Sequence, residues 1–157
     1  MPKFEPSFAI KPLQQVSPAA LVIFQQAAAF VGINRSGQAT AQRVPVALAV
    51  YEVEQLKFIY RYFDAGQPDV LVPTGELIIK PNFHTLNDNA AVQPASDKLF
   101  HGDDTYIAVE IPGTGELRLL SLTNGSLVRP TVTNMRAFES WEVGVISMGD
   151  FVPLLKL

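Results

Sequence analysis

Two histidines and a pair of neighbouring aspartates are the residues whose types and spacing could do chemistry: His84, His101, Asp103 and Asp104. Two imidazoles and a carboxylate make a facial metal triad that leaves other coordination positions open. His84, His101 and Asp104 supply that set for one divalent metal if the 17-residue step between the histidines folds back on itself. Without a metal, His101 and Asp104 form a base and the carboxylate that orients it. Asn82 and Asp103 add polar groups to the same neighbourhood. Trp141, the single tryptophan, offers a ring on which a ligand could stack or an interface could anchor. The same residues also have ordinary structural uses. Loop aspartates cap turns and strand starts, and Trp141 alternates with Val143 and Val145, which suits a buried strand face.

Most other chemistries are excluded. The chain has no cysteine, so it has no disulfide, no thiolate nucleophile and no sulfur-bound zinc. Gly113-Thr114-Gly115 begins a dinucleotide-binding pattern, but the third glycine is missing and a strand follows where a helix is required. Neither a nucleophile elbow nor an HExxH pair occurs. Net charge is −3 and the 12 basic residues are scattered from Lys3 to Lys156, whereas nucleic acid demands a basic stripe. Charged residues are 17% of the chain, against about 25% in ordinary domains. A surface so short of charge suits cover by a second copy or a protein partner.

The elements that would position these residues centre on Asp104 to Arg129. Thr105, Ile107, Val109 and Ile111 alternate with Tyr106, Ala108 and Glu110, the two-residue period of a strand. A three-residue loop, Gly113 to Gly115, would pair Ile111 with Leu117, Val109 with Leu119 and Glu110 with Arg118. A four-residue loop would set Ile111 against Glu116 and Val109 against Arg118. Matched apolar pairs and opposed charges favour the first. Asn124-Gly125 predicts a two-residue turn that places Leu122 opposite Leu127. Between the turns, Leu117 and Leu119 face one way and Leu120 and Leu122 the other, so both faces of this strand need cover.

Upstream, Ser17-Pro18 followed by an almost wholly apolar run to Val31 and then Gly32 predicts a buried helix over about 18–31, with a strand through Leu21 to Phe24 as the alternative. Two glutamines interrupt the run, so it reads as core and not as a signal peptide. It is also too short to span a bilayer, and a cytoplasmic setting is expected. Residues 1–16 read as an extended tail with Phe4, Phe8 and Ile10 set among prolines. Val44 to Val50 alternates as a strand. The stretch 52–65 fits either a helix or an aromatic strand, and no Gly, Asn or Pro stands before Leu56 to turn a hairpin, which favours the helix. Val70 to Val72 and Glu76 to Lys80 flank Pro73-Thr74-Gly75 as a second hairpin. Residues 81–103 lose periodicity and read as a long loop. The last third returns to strands at Thr131 to Thr133, Trp141 to Val145 and Phe151-Val152, with an apolar C-terminal segment that either closes a sheet or packs on another subunit.

Together these readings predict one α+β domain over 1–157, mainly antiparallel, folded as a sandwich or partly closed barrel. The expected function is a non-catalytic binding or assembly module, a self-associating subunit or an adaptor for a protein partner. No cofactor is expected in that case. The alternative is a small-ligand-binding or metal-dependent enzyme domain whose site lies at the 82–104 loop, with Asn82, His84, His101, Asp103, Asp104 and Trp141 as its candidate residues.

Overall fold

The structure, a computed structural model, describes residues 8–35, 43–63, 68–92, 96–130 and 134–157. Among them are 15 strands: β1 (Phe8–Pro12), β2 (Leu21–Phe24), β3 (Ala27–Arg35), β4 (Arg43–Glu52), β5 (Lys57–Tyr62), β6 (Asp69–Pro73), β7 (Glu76–Pro81), β8 (Leu86–Ala91), β9 (Leu99–His101), β10 (Thr105–Ile111), β11 (Glu116–Ser121), β12 (Leu127–Val128), β13 (Asn134–Phe138), β14 (Trp141–Ser147) and β15 (Asp150–Lys156). A 12-stranded sheet runs β1-β6-β2-β3-β4-β5-β10-β9-β13-β8, with β11 and β12 branching from β10, and it does not close into a barrel. A second sheet has the order β15-β14-β7. Pairing is antiparallel except where β5 meets β10. Strand β10 has β11 along one edge, while β9 and β5 share the other at successive positions. The fold is a single antiparallel β domain. No helix among the described residues is long and apolar enough to cross a membrane.

The predicted helix over 18–31 is absent. Ser17-Pro18 opens a β-turn closed by the Ala20 N–H on the Ser17 carbonyl, with Ala19 at φ 67. That is the type II pattern, in which proline serves the second position as well as it would start a helix. Strands β2 and β3 follow as a hairpin whose two turn residues, Gln25 and Gln26, both take positive φ, at 48 and 68. On either side of that turn the run is apolar because the sheet is covered on both faces. Leu21 and Phe30 face the main core, while Val22, Phe24, Ala29 and Val31 face a second one.

The second helix is absent too, and the reason also corrects both registers predicted around β11. Glu52 pairs with Lys57, Ile111 with Glu116, and the Ser121 N–H bonds the Ser126 carbonyl. In each case four residues intervene. The N–H of the fourth bonds back to the carbonyl before the loop, and that fourth residue has positive φ: Leu56 at 52, Gly115 at 67 and Gly125 at 76. One turn of helix closed by a left-handed residue thus makes all three hairpins. Residues 53–56 looked helical because they form that turn. The expected Glu110–Arg118 pair is replaced by a 2.6 Å ion pair of Glu110 with Lys57 on β5, while Arg118 bonds Glu116. Leu122 lies inside its loop, and Leu127 faces Leu120.

Two further expectations change. Strands β6 and β7 belong to different sheets, so Pro73-Thr74-Gly75 is a corner and not a hairpin. Residues 81–103 contain a short 3-10 turn, Phe83–Thr85, and strands β8 and β9. Strand β8 carries Asn87, Asp88 and Asn89 outward on a sheet edge, which hid its period. Thr131 to Thr133 and residues 1–7 lie outside the described residues. Strands β4, β14 and β15 form where the sequence placed them, and β15 closes the small sheet.

The small sheet covers the middle of the large one. Trp141 on β14, 2% exposed, stacks over Phe30 with centroids 6.3 Å apart, and Phe58 lies 6.5 Å away. The opposite face of the large sheet is covered in two parts. Leu13 and Val16 close over Val22, Val31, Leu48 and Val50. Phe100, Tyr106 and Leu119 pack at the other end.

Candidate functional site

Strand register builds one site. Arg136 on β13 lies directly opposite His101 on β9, and His101 directly opposite Thr105 on β10. Directly opposed residues share a face, so the three side chains form a polar row across adjacent strands. Two residues along, Phe138, Leu99 and Ile107 are opposed in the same way and form an apolar row that belongs to the main core. The polar row stands where the sheet face emerges from that core, with His101 and Arg136 exposed. Ile79 and Pro81 of β7 and the ring of Phe83 complete a cavity of about 320 Å³. Phe83 meets Phe138 edge to face at 5.1 Å. Arg136 donates from Nε to Asp88 Oδ1 at 3.0 Å, which leaves the two terminal nitrogens of its guanidinium outside that contact. The polar lining is thus His101, Thr105 and Arg136, with no carboxylate.

Of the residues singled out from sequence, only His101 lines this cavity. Asn82 caps the 3-10 turn: its Oδ1 accepts from the His84 N–H at 3.1 Å and its carbonyl from Thr85 Oγ1 at 2.7 Å. His84 sits exposed in that turn. Asp103 accepts from the Tyr106 hydroxyl at 2.9 Å. Asp104 works as a latch. Its Oδ1 accepts from the Thr105 N–H at 2.7 Å and from Thr123 Oγ1 at 2.6 Å, and its Oδ2 from Ser121 Oγ at 2.6 Å. Burial alone pushes its carboxyl up, but these bonds and the nearby His101 outweigh burial and hold it below the ordinary carboxylate value. Trp141 lies in the core and donates from Nε1 to the Asp97 carbonyl at 2.8 Å. Among the described residues no three histidine, aspartate or glutamate side chains converge to hold a metal ion. Sequence reasoning missed Arg136 and Thr105 as partners of His101, because only the pairing of β13, β9 and β10 brings them together.

A second surface feature is a groove of about 650 Å³ where Ile23, Val53 and Leu56 face Leu154, Leu155 and Leu157. Tyr51 lies at its floor, its hydroxyl 3.3 Å from Asp97 Oδ2; burial first, then the Asp97 charge and that bond, raise the phenol above its ordinary value. The groove continues outward. Leu71 on β6 is directly opposite Ile23, and Ile10 on β1 is directly opposite Leu71. Ile10 is 72% exposed and Leu71 38%. An apolar strip therefore runs from the groove to β1, the end strand of the large sheet. The chain matches no known family model, no curated protein and no solved structure.

Proposed function

We propose that this chain is a non-catalytic binding or assembly module, a self-associating subunit or an adaptor, whose working surface is that strip. The observation that supports the reading is contiguity. Ile10, Leu71 and Ile23 lie opposite one another on successive strands, and Ile23 joins them to the groove. Single exposed hydrophobics are ordinary, but a continuous apolar surface marks an interaction site. Strand β1 ends the sheet and pairs with β6 alone among the described strands, so its outer edge also offers unpaired backbone groups. Light scattering on the wild type and on the Ile10→Lys/Leu71→Lys double variant tests the idea. The expected result is a species larger than a monomer that the two lysines dissolve. A wild type that stays monomeric at high concentration, with both lysines without effect on it, removes the self-association.

A second reading is supported by a separate observation. Both ends of the 81–103 stretch, Pro81 and Phe83 at its start and Leu99 and His101 at its end, border one cavity with a polar row at its mouth. That is the form of a small-ligand pocket, apolar inside with a few convergent polar groups. Titration with small aromatic compounds of different charge tests it.

A further inference from the structure

We infer that the cavity at the polar row takes a small organic anion: one carboxylate on an aromatic or branched aliphatic body. The inference deepens the ligand-binding reading above and rests on it. Arg136, His101 and Thr105 stand side by side across three strands, and each brings a hydrogen-bond donor to the lining of the one cavity. The guanidinium is charged at every ordinary pH, and imidazole keeps an N–H donor whether or not it is protonated. No carboxylate lines the cavity to balance a cation. Two acids stand outside the lining: Asp88 pairs with Arg136 through Nε alone, and Asp104 is turned to Thr105, Ser121 and Thr123, so the terminal nitrogens of the guanidinium are left for a ligand. A carboxylate there gains ionised hydrogen bonds that a neutral ligand lacks.

The body of the ligand follows from the second row. Along a strand, two residues span roughly 6.5–7 Å, so the apolar floor begins about that far from the carboxylate position. Phe138 and Leu99 form the floor, 6% and 2% exposed, and the exposed ring of Phe83, edge to face with Phe138, forms a wall beside it. A ring separated from its carboxylate by a short chain spans the two rows, whereas a carboxylate fixed directly to a ring falls short. At about 320 Å³ the cavity is at the small end of ligand pockets, which run from roughly 300 to 1,000 Å³. One ring and a short acid chain suit it, and a nucleotide or a lipid does not.

Calorimetric titration of the full chain with 3-phenylpropionate, its neutral amide and 3-phenylpropylamine tests this. The acid should bind, the amide at least about tenfold more weakly, since ionised hydrogen bonds are roughly twice as strong as neutral ones, and the amine not detectably. Arg136→Gln should abolish the preference for acid over amide. Phe83→Ala should weaken acid and amide alike, because it removes only the cover of the ring. Both positions are exposed, so folding is preserved and circular dichroism verifies it. If the amide binds as tightly as the acid, or if Arg136→Gln keeps the preference, the anion inference fails while the pocket reading stands. If none of the three compounds binds, both fail together.

Discussion

Asp104 is the residue whose removal should reveal most about how this fold is held. Its carboxylate joins the corner between β9 and β10 to the loop after β11 through three short hydrogen bonds, from Thr105 N–H, Ser121 Oγ and Thr123 Oγ1. Ser121 Oγ in turn accepts from the N–H groups of Thr123 and Asn124, and the loop is tied to β3 by the Ile33 N–H on the Gly125 carbonyl. A hydrogen bond to a charged group contributes about 1.5–3 kcal/mol, and bonds sharing one carboxylate do not add fully. Asp104→Ala should therefore cost about 3 kcal/mol, or on the order of 6–12 °C in Tm for a chain of this size. Asp104→Asn keeps one acceptor oxygen but sets an amide N–H₂ where Ser121 donates, and should cost roughly half as much. The pH dependence has a definite sign. The folded carboxyl lies below its ordinary value of 3.8, so its contribution is complete above that value and is lost as pH falls through the lower, folded one. Urea midpoints of wild type and Asp104→Ala should stay apart from pH 7 to about 4 and converge below it. Amide exchange should speed up first at Thr123, Asn124 and Ile33. Equal midpoints at pH 7, or a gap that stays constant down to pH 2, would refute the latch.

Other substitutions test the rest of the frame. Leu56 occupies the left-handed position of its loop, exposed by 56%, where Gly115 and Gly125 serve the other two loops. The strain of that conformation, about 1–2 kcal/mol for a non-glycine residue, exceeds the backbone entropy glycine adds. Leu56→Gly should thus raise the urea midpoint by an amount equivalent to about 0.5–1 kcal/mol, and Gly115→Ala, whose methyl meets only the Glu110 carboxylate at 3.9 Å, should lower it by about 1 kcal/mol. Trp141→Ala should cost about 3–5 kcal/mol, since it empties the centre of the main core and orphans the Asp97 carbonyl; chemical denaturation followed by far-ultraviolet dichroism measures it. A methyl group at Gly144 would run into the backbone of β15 at the Val152 carbonyl, whereas one at Gly32 meets the ring of Tyr60. Gly144→Ala should therefore destabilise more than Gly32→Ala, whose cost is about 1–3 kcal/mol as Tyr60 shifts. Equal losses at the two positions, read from thermal melts, would mean that β15 yields as easily as a side chain.

What the sequence showed of the fold depended on local pattern more than on burial. Strand β4 lies between the same two cores as β3, yet large Leu48 and Val50 alternate with small Ala47 and Ala49, and β10 is followed by a glycine-marked turn. Residues 18–31 lack alternation because both faces of β2 and β3 are covered, and an unbroken apolar run of that length is as consistent with a buried helix. Its turn, Gln25-Gln26, carries no glycine or asparagine, although both residues take positive φ. Leu56 misled in the same way. The left-handed residue of a four-residue loop is marked by glycine at 115 and 125 but hidden at 56 by a leucine that bears the strain of that conformation. Recognising that three loops share one geometry corrects two registers and one helix at once, since a four-residue loop closed by its fourth N–H fixes which residues face each other.

The cavity was less legible than the fold, for a reason that bears on how it would work. Each member of its polar row is unremarkable in its own segment: Thr105 begins a strand, His101 ends one, and Arg136 lies near the middle of a third. They become a row only because β9 pairs with β13 on one side and β10 on the other in register. Spacing along the chain therefore pointed to His84, 17 residues from His101 and set in an exposed turn, and missed Arg136, which stands directly across from it. A row held by three strands would be rigid where a ligand met it, and the ring of Phe83, carried by the turn after β7, is the side that is open to solvent. Affinity should then respond to Phe83 through the coverage of the ring and to Arg136 through charge. The two contributions lie on different elements and should combine nearly independently, so the losses in the Arg136→Gln/Phe83→Ala double variant should sum to within about 0.5 kcal/mol of the single ones. A marked shortfall would mean that the guanidinium and the ring act as one unit, and that the polar row is not positioned by the sheet alone.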